Sequence, residues 1–572
     1  MNKKIITILL LTLFVFNIST AAIELKDPWI SEKEQGKHGG TLISTLLGDP
    51  KTFNTILAKE TSSSTITDGY IFEGLVTRNG ITTEYEPELA KDWEISKDGK
   101  TYTFYLREGV QWNDGQEFTA DDVIFTFDII KDEGIPTSSR DVLKVEGEFP
   151  KYKKIDKYTV EFTLPTSFAP FLNNMTAPII PRHKLYSVWQ EGKFNNSWGI
   201  NTEPEEIVGT GPYKLVDYKN GERIVMEKND YYWRQDPNGK SLPYLERWIR
   251  VIADSQETES LLFENGQSHF LAVRGIDYRR LKQQETKNNF RLIDAGPTFS
   301  TNFLVFNLNP RNPNLKEEPY KYEWFNNLHF RRAIAYSFDK ETMINQALAG
   351  QGSKQWSPIS LPNKVYLNED VTKYPYSLAK AREELEKGGF KWNQNEQLID
   401  AKGNIVEFNM LTNAGNNVRE SLLNIIASEL RELGIKVNST PVEFNKMVNQ
   451  LSSEWNFDTI LIGLTGGVEP HKGSNVWMSN GHLHMWNPVQ KEPATEWEAR
   501  LDQLFTKGAA AIEIDKRKEY YDEFQEIITE KLPVIYTVTP NAIYAVRDNL
   551  KNTEVTAYGG VLWNIHELYL ED

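Results

Sequence analysis

Apolar and polar positions alternate with a period of two in several short stretches of this chain, and with a period of three to four in longer ones. Over Thr101–Arg107, Tyr102, Phe104 and Leu106 alternate with Thr103 and Tyr105, the signature of a strand with one buried face. Thr41–Leu47 follows Gly39-Gly40 and precedes Gly48-Asp49-Pro50, so it reads as a first strand closed by turn residues. Helical spacing begins at Thr119, where Asp122 three residues on completes a capping box and Val123, Phe127 and Ile130 share a face. The second half predicts more helix. Leu378–Lys387 stops at Gly388-Gly389, and Asn417–Leu433 carries Val418, Leu422, Ile426 and Leu430 on one face before Gly434. Thr495 and Glu498 form a second capping box ahead of Trp497, Leu501, Leu504 and Phe505, and Asp515–Lys531 closes before Pro533. Strands at Ile435–Val437, Thr459–Ile462 and Val534–Val538 separate these helices. The mixture, without an internal repeat, predicts an α/β fold.

The first residues follow a different rule. Lys3 and Lys4 precede an apolar run, Ile5 to Phe16, broken only by Thr7 and Thr12, and the small residues Ser19, Thr20, Ala21 and Ala22 come next. This is the pattern of a signal peptide, residues 1–22, cleaved near Ala21 or Ala22. The run falls short of the about 20 residues that a membrane span needs. Ala22–His38, charged and containing Pro28, predicts an extended leader. A chain of 572 residues exceeds one hydrophobic core and predicts two or three packed units. Its net charge of −16 argues against nucleic acid or an anionic membrane as partner. There is no cysteine, so there is no disulfide to staple the fold and no thiol to carry a lipid. Export without a lipid anchor makes the periplasm the expected location.

Five blocks, in order along the chain, then carry a resemblance. They are Leu89–Asp128 (LAKDWEISKDGKTYTFYLREGVQWNDGQEFTADDVIFTFD), Val208–Leu215 (VGTGPYKL), NDYYWRQ with LPYLERWIRVIAD, Phe325–Gly352 (FNNLHFRRAIAYSFDKETMINQALAGQG), and YPYSLAKAREELEKGGF. In these the chain resembles the extracellular solute-binding proteins of ABC importers, family 5, which include oligopeptide- and dipeptide-binding proteins. The resemblance implies a two-lobe periplasmic binding protein-like α/β fold (type II, the large cluster with an extra subdomain) with the ligand cleft between the lobes. Lobe I would comprise 38–69, 208–300 and 535–572, with 70–207 as its extra subdomain. Lobe II would comprise 301–534, and the hinge crossings would fall near Ser300–Phe303 and Leu532–Tyr536. Most block residues read as architecture. Gly99, Gly109 and Gly115 suit turns, and Trp93, Trp112 and Trp233 suit a core. Gly209-Thr210-Gly211-Pro212 lacks the third glycine and the following helix of a nucleotide loop, so it reads as a crossover turn.

The ligand is less determined. Peptide-binding members place an aspartate against the peptide's α-amino group. With Phe457-Asp458 setting the register, that position falls on Gly467, and an aromatic position three residues earlier falls on Leu464. Glu469 would substitute if the loop were shifted. The loop Gly466–Pro488 is rich in Gly, Asn, Trp and His. Asn475, Trp477, Asn480 and Trp486, with Trp356 nearby and Tyr536 at a crossing, could stack on and hydrogen-bond a neutral sugar, or the tryptophans could instead fill the second lobe's core. His482 and His484 would share a strand face, but no cysteine or carboxylate triplet accompanies them, so no metal and no cofactor are expected. No G-x-S-x-G elbow, P-loop or H-E-x-x-H occurs, and His566-Glu567-Leu568-Tyr569-Leu570 lacks a second histidine, which disfavours a secreted hydrolase. The expectation is a monomeric, non-enzymatic receptor that delivers an oligopeptide, or alternatively an oligosaccharide, to ABC transporter permease subunits.

Overall fold

The computed structural model describes residues 24–571 except 59, 60 and 138, so the expected signal peptide lies outside the described residues. Among the described residues no helix is long and apolar enough to cross a membrane.

Four sheets organise the chain. The first runs Thr41–Leu47, Arg247–Ala253, Arg223–Lys228, Tyr213–Lys219, with its first two strands parallel and the others antiparallel. Beside it lies an antiparallel sheet of Ala90–Ile95, Thr101–Leu106, Thr159–Thr163 and Lys151–Asp156. Tyr102, Phe104 and Leu106 are buried there, as the two-residue period requires. The helix Ala120–Lys131 covers this sheet; Thr119 caps its N-terminus and Asp122 returns the bond to the Thr119 N–H. One continuous hydrophobic cluster joins these two sheets, with Trp112 and Trp233 deep inside it, whereas Trp93 is only half-buried at its edge.

A second core surrounds a five-stranded sheet in the order Lys436–Val442, Glu407–Asn413, Thr459–Leu464, Thr301–Phe306, Val534–Tyr536. Its flanking helices are Leu378–Lys387, Asn417–Glu432, Glu496–Ala510 and Ile514–Lys531, each within a residue or two of the apolar periodicity. Between the two cores stands a sheet of Phe270–Ala272, Val538–Arg547 and Phe290–Pro297, with Gly352–Lys354 on its edge. The chain passes from this sheet into the second core twice, just before Thr301 and at Thr537, and the passages are tied together. The Thr537 N–H and hydroxyl both donate to the Asn302 carbonyl at 2.9 Å, and the Thr298 N–H donates to the Pro540 carbonyl.

Two local features explain residues that the sequence only suggested. A Cβ at Gly209 would lie 1.9 Å from the Ile71 carbonyl oxygen, and one at Gly211 2.4 Å from that of Tyr70. The two glycines therefore permit close backbone packing. The leader is extended but docked: Trp29–Ile30 pairs with Arg234–Gln235, and the Arg107 guanidinium donates to the Asp27 carbonyl at 2.7 Å.

Lys340, at the start of the helix Lys340–Ala347, is buried with its ammonium 3.5 Å above the Trp356 ring; it donates to the Gln355 carbonyl and, among the described residues, has no carboxylate partner. Burial, with added repulsion from Lys354, holds its pKa well below the ordinary lysine value. A depressed lysine binds fewer protons folded than unfolded, so it subtracts stability at neutral pH, and the penalty fades as pH rises toward the unfolded value. Lys340→Met is expected to raise Tm at pH 7, with the gain shrinking as pH approaches 10; thermal melts across that range provide the check.

Candidate ligand-binding cleft

The two cores face each other across a cleft. Their far rims touch, with the Ala169 N–H donating to the Ala509 carbonyl at 2.8 Å and the Ser167 hydroxyl to the Ala510 carbonyl at 2.6 Å. Phe168 meets His471 edge-on at 5.2 Å. Behind this contact lie two cavities, of 730 Å³ and 710 Å³, which share Asn173, Thr176 and Lys472 in their walls. Their volumes are in the range of small-solute sites.

The lobe II wall is built by the loop after Thr459–Leu464. Gly466 packs so closely that a Cβ would strike the Phe299 carbonyl at 2.0 Å, whereas one at Gly467 would meet nothing. The Asn363 side chain donates to the Val468 carbonyl at 2.9 Å and holds the turn. Glu469 then caps the short helical turn Pro470–Gly473 by accepting from the His471 N–H. Its carboxylate also meets the Arg517 guanidinium at 2.5 Å, and both side chains are buried. Burial alone would lower the Arg517 pKa, but Glu469 and the neighbouring tyrosines outweigh it and raise it further. Burial also depresses the His471 imidazole; the Lys472 side chain reaches solvent, but desolvation by the cleft walls around it still lowers its ammonium, Arg78 across the cleft lowers it further and Glu469 offsets this in part.

The lobe I wall contains Arg78. Its guanidinium stacks 3.9 Å above the Tyr85 ring, bonds the Tyr85 hydroxyl and donates to the Thr83 carbonyl at 2.6 Å. The Tyr85 hydroxyl is pushed above its ordinary value, mainly by burial. Tyr558 and Trp563 line the same cavity.

Of the residues predicted from sequence, the structure brings two, Glu469 and Asn475, to a cavity wall. Gly467 is exposed on the adjoining loop and presents no carboxylate, and Asn480 is exposed but lines neither cavity. The tryptophans take the other role open to them. Trp477 packs 5.0 Å from Phe524 in the second core, and Trp486 is 1% exposed and donates its indole N–H to Glu498 at 3.0 Å. Tyr536 is buried edge-on against Phe303 at 5.5 Å. Trp356 shares with Tyr536 a hollow of only 10 Å³ behind the cleft, about one water's room. For Trp477 and Trp486 the cause is the same: an aromatic-rich loop that ends in helical turns against the lobe II helices buries its rings there, while Tyr536 is buried on the strand Val534–Tyr536. The same turns abolish the expected strand at His482–His484. His484 is buried between the Val476 carbonyl and Glu498, and His482 points to solvent. Among the described residues no group of three or more His, Cys, Asp or Glu side chains is placed to hold a metal ion. Arg78, Tyr85, Asn173, Thr176 and Lys472 escaped the sequence reading, because nothing in local spacing marks which residues of one lobe will face the other.

Trp477→Ala is therefore expected to cost stability, about 3–5 kcal/mol as for large-to-small changes in a core, rather than affinity. Urea unfolding and ligand titration of the same variant separate the two effects.

Fold and cleft together define a two-lobed α/β solute-binding protein of type II. The chain belongs to the bacterial extracellular solute-binding proteins, family 5, whose middle-region sequence model matches residues 84–483. It is similar to a probable ABC transporter-binding protein of Deinococcus radiodurans, 28% identical and covering 91% of each chain. It is also similar to the oligopeptide-binding protein AppA of Bacillus subtilis, 27% identical over 91% of this chain and 90% of that one. The solved structure of AppA in complex with a nonapeptide superposes with a TM-score of 0.69 at 25% identity, covering 94% of this chain and all of that one. Family members are extracellular or periplasmic substrate-binding proteins of ABC importers.

Proposed function

We propose that this chain is the periplasmic substrate-binding component of an ABC importer: a monomer, without catalytic activity, that encloses an oligopeptide-like solute between its lobes and presents it to the membrane permease. The observation that carries the reading is the pair of adjoining cavities at the lobe junction of a family 5 fold. The two tied crossings before Thr301 and at Thr537 serve as the hinge. They let lobe I (38–69, 208–300 and 535–572, with the subdomain 70–207) swing against lobe II (301–534). Gly467 sets this chain apart from the peptide-binding pattern. An enclosed ammonium there would lack a carboxylate, and Glu469 is engaged by Arg517. The peptide's amino end is therefore expected to extend toward solvent or to be held by main-chain groups.

Native mass spectrometry of gently purified protein tests the reading, with small-angle scattering before and after ligand removal. A spread of peptide masses with a compaction on rebinding is the expected result. A hexose series would replace the peptide with an oligosaccharide, and hydrolysis of the released solute by the protein would make it an enzyme.

A further inference from the structure

The cleft holds two cations that the fold itself does not neutralise. Arg78 projects from lobe I, where its donors reach the Thr83 carbonyl, the Tyr85 hydroxyl and, at 3.5 Å, the Asn173 side-chain oxygen, all of them neutral acceptors. Lys472 projects from lobe II, and among the described residues it makes no ion pair or side-chain hydrogen bond. Both line the 710 Å³ cavity. Buried cations elsewhere are held in two ways: Lys340 and Arg331 donate to main-chain carbonyls, whereas others meet a carboxylate. Arg517 has Glu469, Arg234 has Glu88 at 2.6 Å and Lys321 has Asp458 at 2.9 Å. Six acids also line this cavity. Glu88 is paired with Arg234 and Glu554 with Lys33, Glu567 accepts from Ser31 and Asn564, Asp68 accepts from Thr55 and Thr67, Glu86 accepts from the Asn79 amide at 2.8 Å, and Glu32 is exposed. Among the described residues, a protein of net charge −16 thus leaves Arg78 and Lys472, one on each lobe, without an ion pair in the cleft.

Enclosing a solute in the cavity that Arg78 and Lys472 line from opposite lobes takes water from both. Without a counter-charge this opposes closure, and with an anion between them it favours closure, because each cation gains a charge-assisted hydrogen bond in a medium of reduced dielectric. We infer that Arg78 and Lys472 form an anion latch, and that the solute this protein retains carries an anionic group, a carboxylate or a phosphate, that bridges the lobes. Asn173 and Thr176, shared by both cavities, offer further polar groups beside it. Planar Arg78, braced by Tyr85, suits bidentate recognition of such a group, and Lys472 supplies a mobile point charge from the other side. The latch rests on the cleft being the solute site. For an oligopeptide it takes a carboxylate, which gives a grip that does not depend on the amino end and so is compatible with Gly467.

The test uses the full mature protein, immobilised, with a peptone pool of short peptides supplied untreated or with its carboxylates methyl-esterified, and retained species counted by mass spectrometry. Retention from the untreated pool is expected to fall at least tenfold on esterification. Arg78→Gln and Lys472→Gln are each expected to lose at least tenfold on the untreated pool, with Arg78→Lys intermediate. Equal retention of both pools by the wild-type protein would overturn the latch and leave the peptide reading standing. If neither pool is retained, the peptide reading fails. The latch is then tested with a bacterial small-molecule extract split by anion exchange: capture from the acidic fraction, with or without phosphatase treatment, supports a carboxylate or a phosphate respectively, and capture from the neutral fraction alone overturns the latch. Lys472 is exposed, so loss of folding does not confound that variant, and Lys472→Gln carries the test if Arg78→Gln unfolds.

Discussion

Glu498→Ala is expected to destabilise the protein by about 4–5 kcal/mol, the upper part of the range for removing one partner of a buried charged network. One oxygen of this carboxylate accepts from the Trp486 indole at 3.0 Å, the His484 imidazole at 3.1 Å and the Gln490 amide at 2.8 Å, and the other accepts from the Thr495 hydroxyl at 2.7 Å. All but the Thr495 partner are themselves buried. Removing the acceptor leaves several donors without a partner and away from water, and each such group costs about 1–3 kcal/mol where relaxation cannot rescue it. Burial alone would raise the Glu498 carboxyl, but the bonds from His484, Gln490 and Thr495 outweigh it and hold the pKa below the ordinary value. A carboxyl depressed in the folded state stabilises above its unfolded pKa, and that stabilisation is lost as pH falls through the folded value. The wild-type protein should thus lose stability faster than Glu498→Gln on acidification below about pH 4.3. Urea unfolding at pH 7 and pH 4 checks both statements; a loss under 1 kcal/mol at pH 7 would mean that the loop is held by something other than this carboxylate.

The second large effect is expected at the cleft. Glu469→Gln leaves the Arg517 guanidinium buried without its anion and is expected to cost about 3–5 kcal/mol. Arg517 keeps the Gly508 carbonyl at 3.0 Å as an acceptor, which supports its geometry but not its charge. The double variant Glu469→Gln/Arg517→Met removes the orphaned charge and is expected to recover most of the loss, a coupling that a double-mutant cycle reads directly. Additive losses in the two single variants would show that the pair is not the stabilising unit. Because Glu469 also begins the turn that carries His471 and Lys472, the single variant is expected to weaken ligand retention as well, and the double variant to restore part of it.

Which parts of this protein its sequence made legible follows from the range of the forces involved. The helix from Ala120 was readable because Thr119 and Asp122 settle its start by bonds that span three residues. The strand Thr101–Leu106 was readable because the period of its side chains shows which face is wet. The family blocks identified the fold because they contain residues such as Gly209 and Gly211, where a neighbouring carbonyl leaves no room for a Cβ. The Trp-rich loop was legible in composition but not in orientation. Trp477 and Trp486 suit a sugar platform and a core equally well, and only packing against Phe524 and the bond to Glu498 separates the two roles. The absence of a carboxylate at Gly467 was legible, but the neutralisation of Glu469 by a residue 48 positions away was not.

Arg78 and Lys472 mark the limit most clearly. In sequence they are two unremarkable cations among 64 basic residues, almost four hundred positions apart. Helices, strands, caps and the close-packed turns depend on neighbours within a few residues, so the sequence by itself determined them, and with them the two-lobed α/β family 5 fold. The cleft is made where two distinct hydrophobic cores face each other. Its charge, the engaged and the free cations, and the burial of the tryptophans all depend on distances that no local pattern encodes, and the tertiary structure alone decided them.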